Sequence, residues 1–316
     1  MNPRLVVLWT VGLLVALALP HAVASNAWLN FWINTLMFAA LGIAWNVLGG
    51  YGGQSSFGHA VFFGTGAYGT AVLQIKLGVP ALLAAPAAIG LGALVGLFIG
   101  GVSFRYGLRG SYFALVTLAF AEVFRILVSS FAFTGAGFGM LIPLDQRPIN
   151  LQFPSRFAFY YAALALVGIG LAASAMIERS RFGAYLVAIR ENEEAAKALG
   201  IDVFRIKLGA IVLSAALAAA VGVFYAQYLL FVDAGSAFGP AISVEALLGP
   251  IVGGAGTMLG PLLGAIALHG LGEAAKAAMG PQPGLNLILQ GLLLILMLRF
   301  LPEGLIGAIR RWRGHA

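Results

Sequence analysis

The chain has 316 residues, of which 61% are hydrophobic and only 9% charged, with a formal net charge of +7. A soluble domain carries about 25% charged residues, so a soluble fold is excluded and an all-α, polytopic integral membrane protein is expected. With no cysteine, disulfide and thiol chemistry are excluded, and the basic residues flank apolar runs in the pattern of membrane orientation rather than nucleic-acid binding.

A span needs about 20 apolar residues to cross a hydrocarbon core of roughly 30 Å. Such runs fall at 5–24, 29–48, 58–76, 80–103, 111–133, 157–177, 207–231 and 284–301. The first also has the look of a secretory leader, with Arg4, an apolar run and Ala22-Val23-Ala24, although retention as the first span is the preferred reading. The stretch 243–275 is too long for one span and is broken by Gly and Pro. Two short helices or a re-entrant hairpin are expected there, giving roughly 8–10 transmembrane helices in all. The 43 glycines suit close helix packing.

Positive charge sets orientation. Arg105 and Arg109, the basic residues of 178–207, and Arg310, Arg311 and Arg313 form three groups. Placing all three in the cytoplasm is self-consistent and puts the loop 134–156 outside.

Two glycine-rich breaks interrupt apolar stretches, one in each half: Gly49 to His59, and Gly253 to Pro261. Paired interruptions can mark an internal repeat and a central pathway, but here the spacings do not match residue for residue. The first break holds Asn46, Tyr51, Gln54, Ser55, Ser56 and His59 among its glycines. Polar groups at membrane depth are costly unless paired or facing a cavity. Irregular backbone there is tolerated only inside protein or along a water-filled path. Pathway lining and tight packing therefore both remain open, and His59 alone reads as a satisfied structural residue. Glu245, near the second break, either faces the pathway or caps a helix. Glu122 and Arg125, i,i+3 within an apolar span, are expected as a buried ion pair. Asp233 reads as an outer-loop residue, and Glu273 and Lys276 as an outer-edge pair.

The stretch 178–207 is the long charged segment of the chain. Phe182, Leu186, Ile189 and Leu199 fall near one helical face, with Arg190, Glu193, Glu194 and Lys197 on others. Glu193 and Lys197 form an i,i+4 pair of favourable orientation. Gly200 is placed to stop the helix, and Asp202 to cap the next. A solvated connector is the bland reading. Against it, Glu194-Ala195-Ala196-x-x-x-Gly200 resembles the EAA-x3-G loop of bacterial ABC importer permeases, which in that family docks on the ATPase subunit.

The resemblance then widens. Asn46 to Ala60 with Phe62-Phe63-Gly64-x-Gly66-Ala67-Tyr68, Ala188 to Ala196, Gly253 to Ala265 and Pro302 to Gly307 are similar to the signatures of branched-chain amino-acid permeases of the LivM type. That likeness covers about 29–310. It implies a single permease domain over 1–316 with a cytoplasmic coupling segment at 178–207, in a bacterial inner membrane. Implied partners are two ABC ATPase subunits, a similar sister permease, a periplasmic binding protein and membrane lipid. The implied coupling residues are Arg190, Glu193, Glu194, Ala195, Ala196 and Gly200. The substrate would be a branched-chain or other hydrophobic amino acid, with urea or a short amide as the alternative. A passive channel or secondary transporter is a rival of another class, but neither needs an EAA loop. There is no GxxxxGK followed by Ser or Thr, no HExxH and no legible nucleophile–base pair. Enzymatic activity and a resident cofactor or metal are not expected; ATP would be bound by partner subunits.

Overall fold

The computed structural model describes residues 3–22, 25–279 and 303–308, with isolated positions between 284 and 299. Six helices follow the first six apolar runs: α1 (Pro3–Ala22), α2 (Asn26–Asn46), α3 (His59–Leu77), α4 (Ala81–Arg105), α5 (Gly110–Ser130) and α6 (Arg156–Glu178). Two short helices, α7 (Arg181–Glu191) and α8 (Glu193–Ala198), precede the long α9 (Val203–Leu229). Then come α10 (Ala234–Phe238), α11 (Pro240–Gly253) and α12 (Gly260–Met279). Among the described residues six helical stretches are long and apolar enough to cross a membrane: α2, α4, α5, α6, α9, and α10 taken with α11. The fold is therefore a polytopic all-α membrane protein. The expected last span, 284–301, lies largely outside the described residues, as do Arg310, Arg311 and Arg313.

Local chemistry sets the helix starts. Ser25, Ser155, Ser180, Asn192, Asp202 and Asp233 each accept a backbone N–H of the turn they open, satisfying donors that a helix leaves unpaired. The capping role sequence reading gave Asp202 is met. Asp233 spends its carboxylate on the same task.

The core is built on α2, α3 and α9. Helix α4 lies on α9 through a stripe of glycines one turn apart. A Cβ at Gly92, Gly96 or Gly100 would overlap Ala219, Ala215 or Ile211, so this is small-residue packing of backbones with no room to spare. The stretch read as two short helices or a re-entrant hairpin forms two helices, α11 and α12, that pack together, and a Cβ on Gly264 would overlap the Gly249 carbonyl. It begins deep in the bundle, where Phe238 covers Gly64 and Ser243 Oγ accepts the Ala60 N–H at 3.0 Å.

One end of the bundle gathers the α2–α3, α4–α5 and α11–α12 connections with α7 and α8. Arg109 and the 178–207 segment share this end, as the charge pattern predicts. At the other end the 131–155 segment carries β1 (Met140–Leu141), which pairs antiparallel with β2 (Phe231–Val232), Met140 opposite Val232.

Two expectations need correction. Glu122 and Arg125 do pair, at 2.5 Å, but on the outer surface of α5, with side chains 50% and 35% exposed. The buried stripe of α5 is instead Phe113, Thr117 and Ala121. Leu199 leaves the face it was expected to share: Leu186 and Ile189 are buried, whereas Leu199 is 82% exposed. The reason is a break at Asn192, whose extended backbone separates α7 from α8 and turns the second helix away.

Candidate functional site

The two glycine-rich breaks, far apart in sequence, meet. After Asn46, α2 loosens into a single π turn, Val47–Tyr51. Asn46 is fully buried, and its side-chain amide spans the gap to the second break. Its Nδ2 donates to Thr257 O at 3.0 Å, and its Oδ1 accepts the Gly256 N–H at 2.8 Å. Only glycine fits on either side. A Cβ at Gly50 would overlap Asn46 Oδ1, and Gly256, at φ +75°, would press one against Arg190.

Arg190 of α7 closes this junction from the charged segment. Its Nη1 donates to Gly50 O at 3.0 Å, while Nη2 bonds Glu191 Oε1 at 2.8 Å. Tyr51 adds a second link, donating its hydroxyl to Glu178 Oε1 at 2.8 Å. Both breaks and the charged segment are thus held by one set of hydrogen bonds.

Further along the first break the polar groups pair with one another. Ser214 donates to Ala44 O at 2.6 Å and so accepts from His59 Nε2 at 2.8 Å; His59 Nδ1 faces Ser56 Oγ at 3.2 Å. A neutral Nε2–H imidazole satisfies both contacts. Ser56 O accepts the Trp45 indole N–H at 2.8 Å. Gln54 is buried and donates to Gly52 O at 3.1 Å, but its Oε1 has no hydrogen-bond partner among the described residues. Ser55 is exposed. In this conformation, then, Asn46, Tyr51, Ser56 and His59 are braced in packing, and Gln54 keeps a spare acceptor.

Glu245 lies apart from this cluster. It stands in α11, 3.7 Å from His269 Nε2 of α12. With Asn34, Glu273 and Lys276 the two line a polar cleft of about 400 Å³ between α2, α11 and α12. Neither sequence reading of Glu245 foresaw the histidine.

The charged segment itself has an anchored side and a free side. Glu193 bonds Lys207 Nζ of α9 at 2.5 Å, and that lysine is only 4% exposed, over the Phe104 ring. Burial alone would raise the Glu193 carboxyl, but hydrogen bonds and charge from Lys207 and then Lys197 hold it below the usual carboxylate range. Ala196 packs on Ile189 and Val203. Gly200 adopts φ +82°, and Ile201 N–H returns to Ala196 O at 3.1 Å, ending α8 as the sequence predicts. Outward stand Glu194, paired with Arg109 at 3.2 Å, the small Ala195, and Leu199. Tyr106 and Tyr112, on either side of the α4–α5 turn that bears Arg109, are 77% and 74% exposed. Sequence reading missed Lys207, Arg109 and these tyrosines as parts of the site. A lysine just inside an apolar run was the one available signal. Among the described residues no group of three or more His, Asp or Glu is placed to hold a metal.

A polytopic helical membrane protein whose helix breaks are tied to an exposed charged segment is built as a permease. Residues 27–298 match the profile of the branched-chain amino acid transport system permease component family, and the chain belongs to that family. It is 31% identical to the high-affinity branched-chain amino acid transport system permease protein LivM of Escherichia coli strain K12, over 96% of this chain and 75% of that protein. Against LivM of Salmonella typhimurium identity is 30%, over 94% and 74%. A shorter match, 33% over 40% of this chain and 38% of the relative, is to the autoinducer 2 import system permease protein LsrC of Klebsiella pneumoniae. No solved structure matches the chain.

Proposed function

We propose that this chain is one permease subunit of an ATP-binding cassette importer that carries branched-chain or other hydrophobic amino acids across a bacterial inner membrane. Residues 1–316 form one permease domain. ATP is hydrolysed by separate ATPase subunits, a periplasmic binding protein delivers the substrate, and a sister permease completes the pathway. The substrate class rests on the LivM relatives.

One observation carries the coupling role: Arg190, in the charged segment, is hydrogen-bonded to Gly50 at the point where Asn46 ties the two breaks together. Glu194, Ala195, Leu199 and Gly200 form the surface on which an ATPase docks. Glu193 fixes that surface to α9 through Lys207. Movement of α7 and α8 then reaches both breaks through Arg190, with Tyr51–Glu178 as a second link. The breaks are the inner closure of the pathway. Asn46, Tyr51, Ser56 and His59 hold it shut here, while Ser55 and the spare acceptor of Gln54 face the substrate when it opens. Glu245 stands at the outer mouth, where the polar cleft carries both signs of charge for a zwitterion. Loaded binding protein and ATP each act by binding one state of this closure better than the other.

The test is uptake of labelled leucine by cells with and without the chain, with valine, urea and acetamide as competitors and ATP depleted in parallel. Chain-dependent, ATP-dependent uptake blocked by valine is expected. Competition by urea or acetamide alone moves the substrate and keeps the importer; uptake surviving ATP depletion removes the importer. Glu194→Lys and Gly200→Val should insert normally and lose ATP-driven uptake. Normal uptake by both would remove the docking role.

A further inference from the structure

Helix α5 has two unlike sides. Phe113, Thr117 and Ala121 are buried against the bundle. Leu115, Leu118 and Ile126 are exposed, and on this side lies the Glu122–Arg125 pair. The pair is two-pronged: Arg125 Nη2 meets Glu122 Oε1 at 2.5 Å, and Nε meets Oε2 at 2.9 Å. Glu122 is the thirteenth residue of a 21-residue span, about 18 Å from its start at 1.5 Å per residue. It therefore sits near the middle of the hydrocarbon layer. Ionisable side chains at that depth are costly against lipid and almost always face protein or water. Among the described residues nothing covers them: the side chains stay 50% and 35% exposed.

We propose that this face of α5 is the seam with the sister permease subunit, which presents polar or charged groups at the same depth. The inference rests on the importer reading above, since it takes its partner from there. Charge complementarity argues for the occupant: each ion carries both an attached counter-ion and open hydrogen-bonding capacity, which a facing polar helix satisfies and an acyl chain does not. The place of α5 in the coupling chain fits the same role. Its N-terminal Arg109 bonds Glu194 of α8, and Thr117 Oγ1 accepts the Phe57 N–H of the first break at 3.1 Å. The seam is thus joined directly to the surface and to the closure that the ATPases drive.

The experiment is photo-crosslinking in membranes holding the complete transporter. A benzophenone side chain is placed at Leu115 or Leu118 on this face, and at Leu94, exposed on α4, as the control. The expected result is an adduct to a second, different permease chain of the same family from both α5 positions and not from Leu94. Adducts to lipid alone, to another copy of this chain, or equally from Leu94 overturn the proposal. In parallel, Glu122→Leu/Arg125→Leu should insert to the wild-type level yet co-purify with about tenfold less sister subunit, within the usual span of coupling effects between sites. Unchanged co-purification would also overturn it. Leucine uptake by the unsubstituted complex separates the failures. ATP-driven uptake with lipid adducts removes the seam alone, whereas ATP-independent uptake removes the importer reading and leaves a subunit adduct standing.

Discussion

The junction of the two breaks and the tip of the charged segment are linked by way of α7, which bears Arg190, yet they are built on opposite rules. At the junction Asn46 is fully buried, its amide is bonded on both sides, and glycine backbones touch. At the tip, Leu199 is 82% exposed, and among the described residues Glu194 meets only surface charges and a Cβ at Gly200 would meet nothing. A saturated, close-packed site has two discrete arrangements or none, because packed interiors do not deform smoothly. An open tip can accept a partner without rearranging. In the proposed importer the contrast would separate the part that changes state from the part that receives the push.

The sharpest way to break the comparison is to crowd the junction. Gly50→Ala drives a methyl into Asn46 Oδ1, and Gly256→Val adds a branched side chain at φ +75° against Arg190. Overpacking costs about 1–3 kcal/mol, and a buried amide that loses its partners costs about as much again. Both variants should lower the thermal midpoint of the purified permease markedly and abolish uptake. Gly101→Ala in α4, where no described residue would lie within 4 Å of the added methyl, is the control and should be neutral or slightly stabilising.

Next comes the tether between tip and bundle. Lys207→Met leaves Glu193 without its main counter-charge at a largely buried position. Breaking such a pair costs about 3–5 kcal/mol, with the lower end expected because Glu193 keeps Lys197 and some water. Adding Glu193→Gln should recover most of the loss. A double-mutant cycle on unfolding midpoints measures the coupling; additive losses would show the two residues to be independent.

How much of this was legible in sequence follows the same division. Spans, the break of 243–275 into two helices and the stop at Gly200 were readable because each rests on local hydropathy or on one backbone requirement. The resemblance of Glu194 to Gly200 to a docking loop marked the tip. The meeting of the breaks was not readable, since a contact between Asn46 and Gly256 crosses more than 200 positions and leaves no periodic trace. The Glu122–Arg125 pair was readable as a pair but not as exposed: i,i+3 spacing fixes that two side chains meet, not which side of the helix the bundle covers. Asn192 hid the break between α7 and α8, because a cap inside a charged run looks like more of the run.

A smaller effect should follow pH. The Glu193 carboxyl is held below its usual range, so its contribution is complete above the unfolded value, about pH 4.3, and is lost only as pH falls through the lower folded value. Lys197, raised by Glu193 and Glu194, stays charged throughout. Hydrogen exchange across 192–200 should therefore be flat from about pH 5 to 8 once intrinsic rates are corrected, and rise only in stronger acid. A midpoint near neutrality would assign the tether to another group.

The least effect on stability should come from the tip, and there the comparison is sharpest. Leu199→Ser removes a side chain that is 82% exposed, so the unfolding midpoint should move by no more than about 0.5 kcal/mol of stability. An isolated exposed leucine needs no explanation, but here it stands beside a left-handed glycine and within the segment that reaches both breaks. If it is an anchor for the ATPase, its loss leaves the permease intact and weakens its partner, as truncation of a hot-spot residue does. The measurement is ATPase co-purification together with leucine uptake. Both should fall several-fold in Leu199→Ser and recover in Leu199→Met, which restores apolar bulk without the original shape. Full uptake in the serine variant would leave Glu194, Ala195 and Gly200 to carry docking without it, and would make the exposed leucine an ordinary surface residue.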